Sequence, residues 1–253
     1  MDTALVAFVD VLGYSWLVKN FGQNIDVIKG IEAIFEGATG IGERLSQAIA
    51  EKMLVDILST VRIGFVSDSI VVVANLSQAE QIDPDNGRQN SMLTLGGYLS
   101  CISTSFIAKT GLLLRGGIAA GPHYDNSTQI SRFLFSWAYL RACELEKQAI
   151  MPRIVIDQKT APQFEDLGMS WHDNNYQGKI FDFYHLFAKP EFTSMAHIVL
   201  AAIMNGVSRN LEYNRKNSKE LSKITHFVNY HNRRIAQPDI NLVGYTIEIP
   251  NSL

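Results

Sequence analysis

The sequence predicts a layered fold of the α+β or α/β class, a sheet covered by helices, and three observations carry that reading. Short apolar runs ending at turn formers recur over the first two thirds of the chain. Between them lie stretches with apolar residues at helical spacing, and after Pro190 the pattern is helical alone.

In chain order, "ALVAFVDVLG" is a buried strand ending at Gly13, and apolar residues at helical spacing follow from about Asn24 to Leu58. "VRIGFVSDSIVVVA" (61–74) reads as a hairpin whose turn is Ser67-Asp68-Ser69, small residues that hydrogen-bond to their own backbone. The polar "QAEQIDPDNGRQN" (78–90), with Pro84 and Asn86-Gly87, reads as a loop before a helix running to about Lys109. "GLLLRGGIAAGPHY" (111–124) is a strand whose glycines permit close backbone approach. Arg132 to Ala149 is helical and "PRIVID" (152–157) a strand, giving the order βαββαβαβ; "GKIFDFYHLF" (178–187) adds a further strand. Two helices then follow, "FTSMAHIVLAAIMNGVSRNLEYNRKN" and "SKELSKITHFVNYHNRRI", with Ser218 or Ser222 as cap of the second. Residues 188–253 are expected to be a helical extension packed on residues 1–187, one compact unit rather than two independent domains.

The chain has 253 residues, 47% apolar and 19% charged, enough to bury a core and without the charge excess of disorder. A net charge of −3 gives no general pull toward nucleic acid or an anionic membrane, so a phosphate site must be local. Cys101 and Cys143 stand apart in apolar helical contexts, which indicates neither a disulfide framework nor a zinc site and suits a reducing cytoplasm. Asp2 and Asp10 interrupt the apolar start, so no signal peptide is expected. The apolar stretch 194–207 is too short to cross a bilayer and reads as a buried helix.

Asp10 ends the first strand on a charge that is costly to bury unpaired. It is either a surface turn residue or a ligand for something positive. Asp68, in the first hairpin, is its natural companion, because consecutive elements are often neighbours in a sheet. Hard divalent cations take oxygen ligands, and one or two carboxylates with substrate phosphates suffice to hold them. The stretch "VLGYS", Val11 to Ser15, can present backbone N–H groups to phosphate at a helix start.

"FVDVLGYS" resembles the F-x-D-x-x-G-[FY]-[ST] opening of class III nucleotide cyclase domains, and "VSDS" stands where that superfamily keeps its second metal-binding acid. The ordered set "FVDVLGYS", "FVSDSIVV", "LLLRGGIAAGPHY", "AYLRACELE" and "PRIVID", over residues 7–157, is more closely similar to the Pycsar pyrimidine cyclases of bacterial anti-phage defence. The resemblance implies a ferredoxin-like βαββαβ core in a head-to-tail homodimer with active sites at the subunit interface. It implies two divalent ions, Mn²⁺ or Mg²⁺, on Asp10, Asp68 and the Val11 carbonyl, and substrate contacts from Leu12, Gly13, Tyr14, Ser15 and Arg115. The implied reaction converts UTP to 3′,5′-cyclic UMP and pyrophosphate, the product acting on a separate effector. Alternatives are cyclic CMP made from CTP, and a catalytically silent nucleotide-binding module.

Purine cyclases of the superfamily carry Asn-x-x-x-Arg on a helix where this chain has Leu140 and Glu144, and a base-reading lysine and acid where it has Gly64 and Phe133. Ser136-Trp137-Ala138 and Cys143 also depart from the closer family. These departures disfavour adenine and leave the stabilising cation open; Arg141, beside the vacant asparagine position, is the candidate.

Other residues read as structural. Arg115 pairs with Glu144 or Glu146 if it does not reach nucleotide, and Arg153 is a structural arginine. His123 and Asp125 lie in a turn without a nucleophile, and His226 and His231 are packing or surface residues, five apart. "EGATGIGERL" (36–45) lacks the spacing of a phosphate loop. The basic stretch 208–223 reads as a solvated helix face, its field broken by Glu212 and Glu220.

Overall fold

The computed structural model describes residues 1–26, 28–34, 36–37, 52–66, 68–126, 134–172, 176, 178–189, 192–240 and 242–249. Strands are β1 (Asp2–Val11), β2 (Val61–Val66), β3 (Ser69–Asn75), β4 (Leu114–Asp125), β5 (Leu134–Ser136), β6 (Ile154–Ile156), β7 (Ser170–His172) and β8 (Lys179–Phe181). The principal helices are α1 (Tyr14–Phe21), α2 (Gly87–Thr110), α3 (Trp137–Gln148), α4 (Thr193–Tyr213) and α5 (Ser218–Ile235). Shorter helical pieces are named below by their residues.

The fold is α+β, one sheet in the order β2-β3-β1-β4-β6-β8-β7 with β5 paired to β4. β1 is antiparallel to both neighbours, and the β4–β6 pair alone is parallel among those described. Because side chains alternate across a strand, β1 serves two layers. Leu5, Ala7, Val9 and Val11 pack with Ile70 and Val72 against Leu95, Leu99 and Phe106 of α2. Ala4 and Val6 pack with Ala119 against Ala138, Ala142 and Leu145 of α3. α2 is long and apolar enough to span a membrane, but its apolar window is 61% buried inside the fold, where it is the central core helix.

The glycines of β4 set how closely α3 lies on the sheet. A Cβ on Gly117 would collide with the Ala142 carbonyl oxygen and come within 2.6 Å of Leu145 Cβ. The small residues of "RGGIAAG" are a helix-docking surface, as their spacing suggests.

The last two helices build a second apolar cluster rather than a detached unit. Leu200, Ile203, Val207, Ile224 and Phe227 pack there with Leu12, Ile107 and Leu113. Arg209 donates to the carbonyls of Ala108 and Lys109, and Asn210 Nδ2 donates to the Gly111 carbonyl at 2.6 Å, so α4 satisfies the open C-terminal end of α2.

Several elements depart from the sequence expectation. Leu134–Ser136 is not the start of a helix but strand β5 on β4, and Ser136 then caps α3 by accepting from Tyr139 N. Helix Leu76–Ile82, capped by Asn75, occupies the start of the expected loop; its polar face had hidden it. Helix Ala161–Asp166 and strand β7 were too short to register as periodicity. Only Lys179–Phe181 of 178–187 is strand, and His185–Ala188 is a 3₁₀ turn. The cap of α5 is Asn217, which accepts from Glu220 N, in place of Ser218 or Ser222. Residues 38–51 of the expected 24–58 helical stretch, and most of "EGATGIGERL", lie outside the described residues.

Candidate active site

The C-terminal end of β1 places the two predicted acids together. Asp10 stands opposite Ser69 of β3 on one side and opposite Arg115 of β4 on the other. Asp68 is the turn residue just before Ser69, and its carbonyl accepts from Val11 N at 3.0 Å. Asp10 and Arg115 therefore lie side by side on adjacent strands, with Asp68 in the turn that leads into the third. Alternation directs Asp10 and Arg115 to the α3 face of the sheet.

Arg115 is the cross-strand partner of Asp10, Nη2 to Oδ2 at 3.3 Å, and also contacts Glu146 of α3. Glu146 is 5% exposed, so of the two acids considered for Arg115 the buried one is the partner. The group is not fully satisfied: Arg115 Nε makes no hydrogen bond. Burial, then repulsion by Asp68, pushes the Asp10 carboxyl above its ordinary range, while Arg115 and Lys223 pull it back. Two carboxylates that repel each other beside a backbone carbonyl form an oxygen donor set suited to a hard divalent cation. Among the described residues no group of three or more His, Cys, Asp or Glu side chains is placed to hold a metal ion, so a cation on this pair would draw its further ligands from substrate phosphates and water.

After Val11 the chain turns sharply. Leu12 N donates to the Leu113 carbonyl at 2.8 Å, and Gly13 adopts φ +85, a left-handed conformation that side chains rarely tolerate. Gly13 is the N-cap of α1 and no side chain caps that helix, which leaves its positive end facing the rim. Gly13 and Ser15 are exposed there, Tyr14 is partly buried against the main core, and Leu12 is buried in the C-terminal cluster. Leu12 to Ser15 thus form a turn beside Asp10 in which the Leu12 N–H is committed to Leu113.

Arg141 is elsewhere. Its Nε donates to Asp157 at 2.8 Å and its Nη1 to Glu144 at 3.1 Å. Asp157 N bonds the Ile118 carbonyl, three residues along β4 from Arg115, or about 10 Å at the rise of a strand. Within one chain Arg141 does not join the acid pair. His123 and Asp125 lie on β4 rather than in a turn, at its far end, with His123 bonded to Ser136 Oγ. Arg153 stacks over the Tyr176 ring, 5.1 Å from its centroid. Both cysteines are free.

One residue near Asp10 was not singled out by the sequence. Lys223 of α5 ends the basic stretch read as a solvated face, yet its side chain is 17% exposed and its charge is felt at Asp10. With 212 residues between them, no spacing rule could have joined the two.

No family model and no curated protein matches this chain. Among solved structures it is similar to the dimeric guanylyl cyclase domain of the RhoGC fusion protein from the aquatic fungus Blastocladiella emersonii, at TM-score 0.47 and 13% identity over 69% of this chain and 89% of that one. It is also similar to the adenylyl cyclase CyaB from P. aeruginosa, at TM-score 0.42 and 13% identity over 71% and 91%. A third likeness is to the guanylate cyclase domain of RhGC from Catenaria anguillulae in complex with GTP, at 0.45 and 13% over 71% and 93%. Likeness at this level carries no argument about activity, which rests on the chain's own residues.

Proposed function

We propose that residues 1–187 are a nucleotide cyclase domain acting on a pyrimidine nucleoside triphosphate, with residues 188–253 as its helical extension. The observation that carries this reading is the grouping of Asp68, Asp10 and Arg115 set against the Gly13 turn and the uncapped start of α1. A carboxylate pair and a backbone cradle side by side suit a triphosphate better than either would alone. Asp10, Asp68 and the Val11 carbonyl would hold Mn²⁺ or Mg²⁺, which when bound lowers the pKa of the ribose 3′-hydroxyl and neutralises phosphate charge.

In the reaction the 3′-oxygen gives its proton to solvent water and bonds to the α-phosphorus as the bond from that phosphorus to the bridging oxygen of the β-phosphate breaks. Pyrophosphate leaves with that electron pair. The Gly13–Ser15 turn orients the phosphates, and Arg115, held from behind by Glu146, offers its guanidinium to the charge that develops on them.

UTP is the favoured substrate, with CTP next. The preference for a pyrimidine follows the family resemblance, with Gly64 on β2 standing where the superfamily's adenine-reading lysine would be. A homodimer is the favoured assembly. Phe135, Trp137 and Leu140 are 63%, 44% and 58% exposed at β5 and the first turn of α3, an apolar surface beside Arg141. A second copy docked there would carry Arg141 toward its neighbour's acid pair. The product would act in the cytoplasm on a separate effector of anti-phage defence.

The deciding experiment is mass-resolved product analysis with UTP, CTP, ATP and GTP in parallel, with Mn²⁺ and with Mg²⁺. A cyclic pyrimidine product, lost in both Asp10→Ala and Asp68→Ala, is expected. A purine product would overturn the base assignment, and turnover retained in either variant would overturn the site. No product from folded dimer would point to a silent nucleotide-binding module.

A further inference from the structure

We infer that Lys223, on the C-terminal helix α5, is part of the polyphosphate site, so that the extension supplies a cation to the reaction the rest of the chain performs. The inference rests on the cyclase reading for its substrate and on geometry for its place.

A cleft of about 130 Å³ opens between the turn that follows Asp10 and the last two helices. Leu12, Gly13 and Trp16 form one wall; Asn210, Asn217 and Lys223 are on the other. The walls are fixed to each other, because Leu12 is packed in one apolar cluster with Leu211 and Ile224, the residue after Lys223. The cleft is too small for a nucleoside, whose pockets begin at about 300 Å³, and has room for phosphate groups.

Its other polar side chains are already committed. Asn210 Nδ2 donates to the Gly111 carbonyl, Asn214 Nδ2 to Asn210, and Asn217 Oδ1 accepts from the first turn of α5. Lys223 is the lining cation. Its partner is Glu220, one turn earlier at 2.8 Å, and the two side chains are 17% and 29% exposed. The pair is local to one helical turn and partly open to solvent, so the ammonium can exchange a carboxylate for a phosphate oxygen. Arg115 cannot cover this side, since Asp10 and Glu146 hold it on the α3 face. Arg115 and Lys223 thus flank the acids from the two sides of the rim, and Lys223 is the one beside the Gly13 cradle.

The test measures binding of inorganic tripolyphosphate with Mn²⁺ by calorimetry at fixed ionic strength, on the wild type and on Lys223→Met, Lys223→Arg and Glu220→Gln. Loss of one charge-assisted contact should weaken Lys223→Met by about tenfold or more. Lys223→Arg should bind close to wild type, and Glu220→Gln should bind more tightly because the competing carboxylate is gone. A structural role for the pair would weaken both neutralising variants alike and overturns the inference. So does a wild type that fails to bind tripolyphosphate, or Lys223→Met binding as the wild type does. The cyclase reading is judged separately: loss of tripolyphosphate in Lys223→Met with no cyclic product from the wild type keeps the phosphate site and removes the cyclase. A cyclising wild type whose KM for its triphosphate is unmoved by Lys223→Met does the reverse.

Discussion

Two charged clusters, one at the end of β1 and one under α5, use the same residue types to opposite ends. Under α5, Arg234 is 4% exposed and Asp182 1%. Arg234 Nε donates to Asp182 at 2.7 Å, its two terminal nitrogens grip Asp239 at 2.9 and 2.8 Å, and its guanidinium lies 5.0 Å from the Trp171 ring centroid. Asp182 also accepts from Tyr184 N and Tyr230 Oη. At β1, by contrast, Asp10 faces a like charge and shares a single arginine with Glu146, and Arg115 Nε has no directed bond. Every charged group of the first cluster has directed partners, whereas the second holds two repelling carboxylates and an arginine with an unused donor. That difference, rather than the presence of charge, is what marks a site.

The comparison breaks most plainly at Arg234. Arg234→Met leaves Asp182 buried without its counter-ion, a loss of about 3–5 kcal/mol. Urea unfolding should show this as a large fall in midpoint. A change below about 1 kcal/mol would mean the cluster is no more complete than the one at β1. Asp239, whose carboxyl the bonds from Arg234 hold below its ordinary range, adds stability above its unfolded pKa that is lost as the pH falls through the lower folded value.

A smaller effect sharpens the same contrast. His231 is fully buried, and burial lowers its pKa from 6.5 to about 4. Nε2 faces the Tyr245 carbonyl at 2.9 Å and so carries the proton, leaving Nδ1 to accept from Tyr184 Oη at 2.6 Å. The unfolded chain binds a proton that the folded one refuses, so stability falls as the pH drops from about 6.5 toward 4. The loss over that window is on the order of 2–3 kcal/mol for a shift of this size. His231→Gln keeps a donor and an acceptor and does not titrate, so its unfolding midpoint should depend less steeply on pH. His123 and His185, shifted the same way, leave a residual slope in the variant. Equal slopes in both proteins would refute the assignment.

What the sequence could reveal follows from range. Asp10 and Asp68 were legible because each ends a strand whose alternation is local, and β1, the hairpin and β4 are adjacent in the sheet. The glycines of β4 were legible because the helix they admit follows directly in sequence. Leu134–Ser136 was not: three apolar or hydroxyl residues before a helix have no period of their own, and pairing with Tyr124 and His123 decides their state. Arg234 and Lys223 were illegible for the same reason at greater distance. Both are helix-face cations in sequence, and only packing puts one over Asp182 and the other beside Gly13.

The smallest effect is the most direct statement about β1. Because burial and Asp68 raise the Asp10 carboxyl above its ordinary value of 3.8, its ionised form is worse accommodated folded than unfolded. The penalty is absent below that value, grows as pH rises through the folded pKa and is full at neutrality. Asp10→Asn, nearly the same shape without the charge, should therefore raise the thermal midpoint at pH 7 by a small amount, within about 1 kcal/mol, and lose that advantage in acid. Mn²⁺ should reverse the order, since a cation that binds only the folded acid pair stabilises the wild type by mass action and the variant far less. A variant less stable than wild type without metal would show that Arg115 already satisfies Asp10. Equal response of both proteins to Mn²⁺ would place the cation away from Asp10, and with it the reaction.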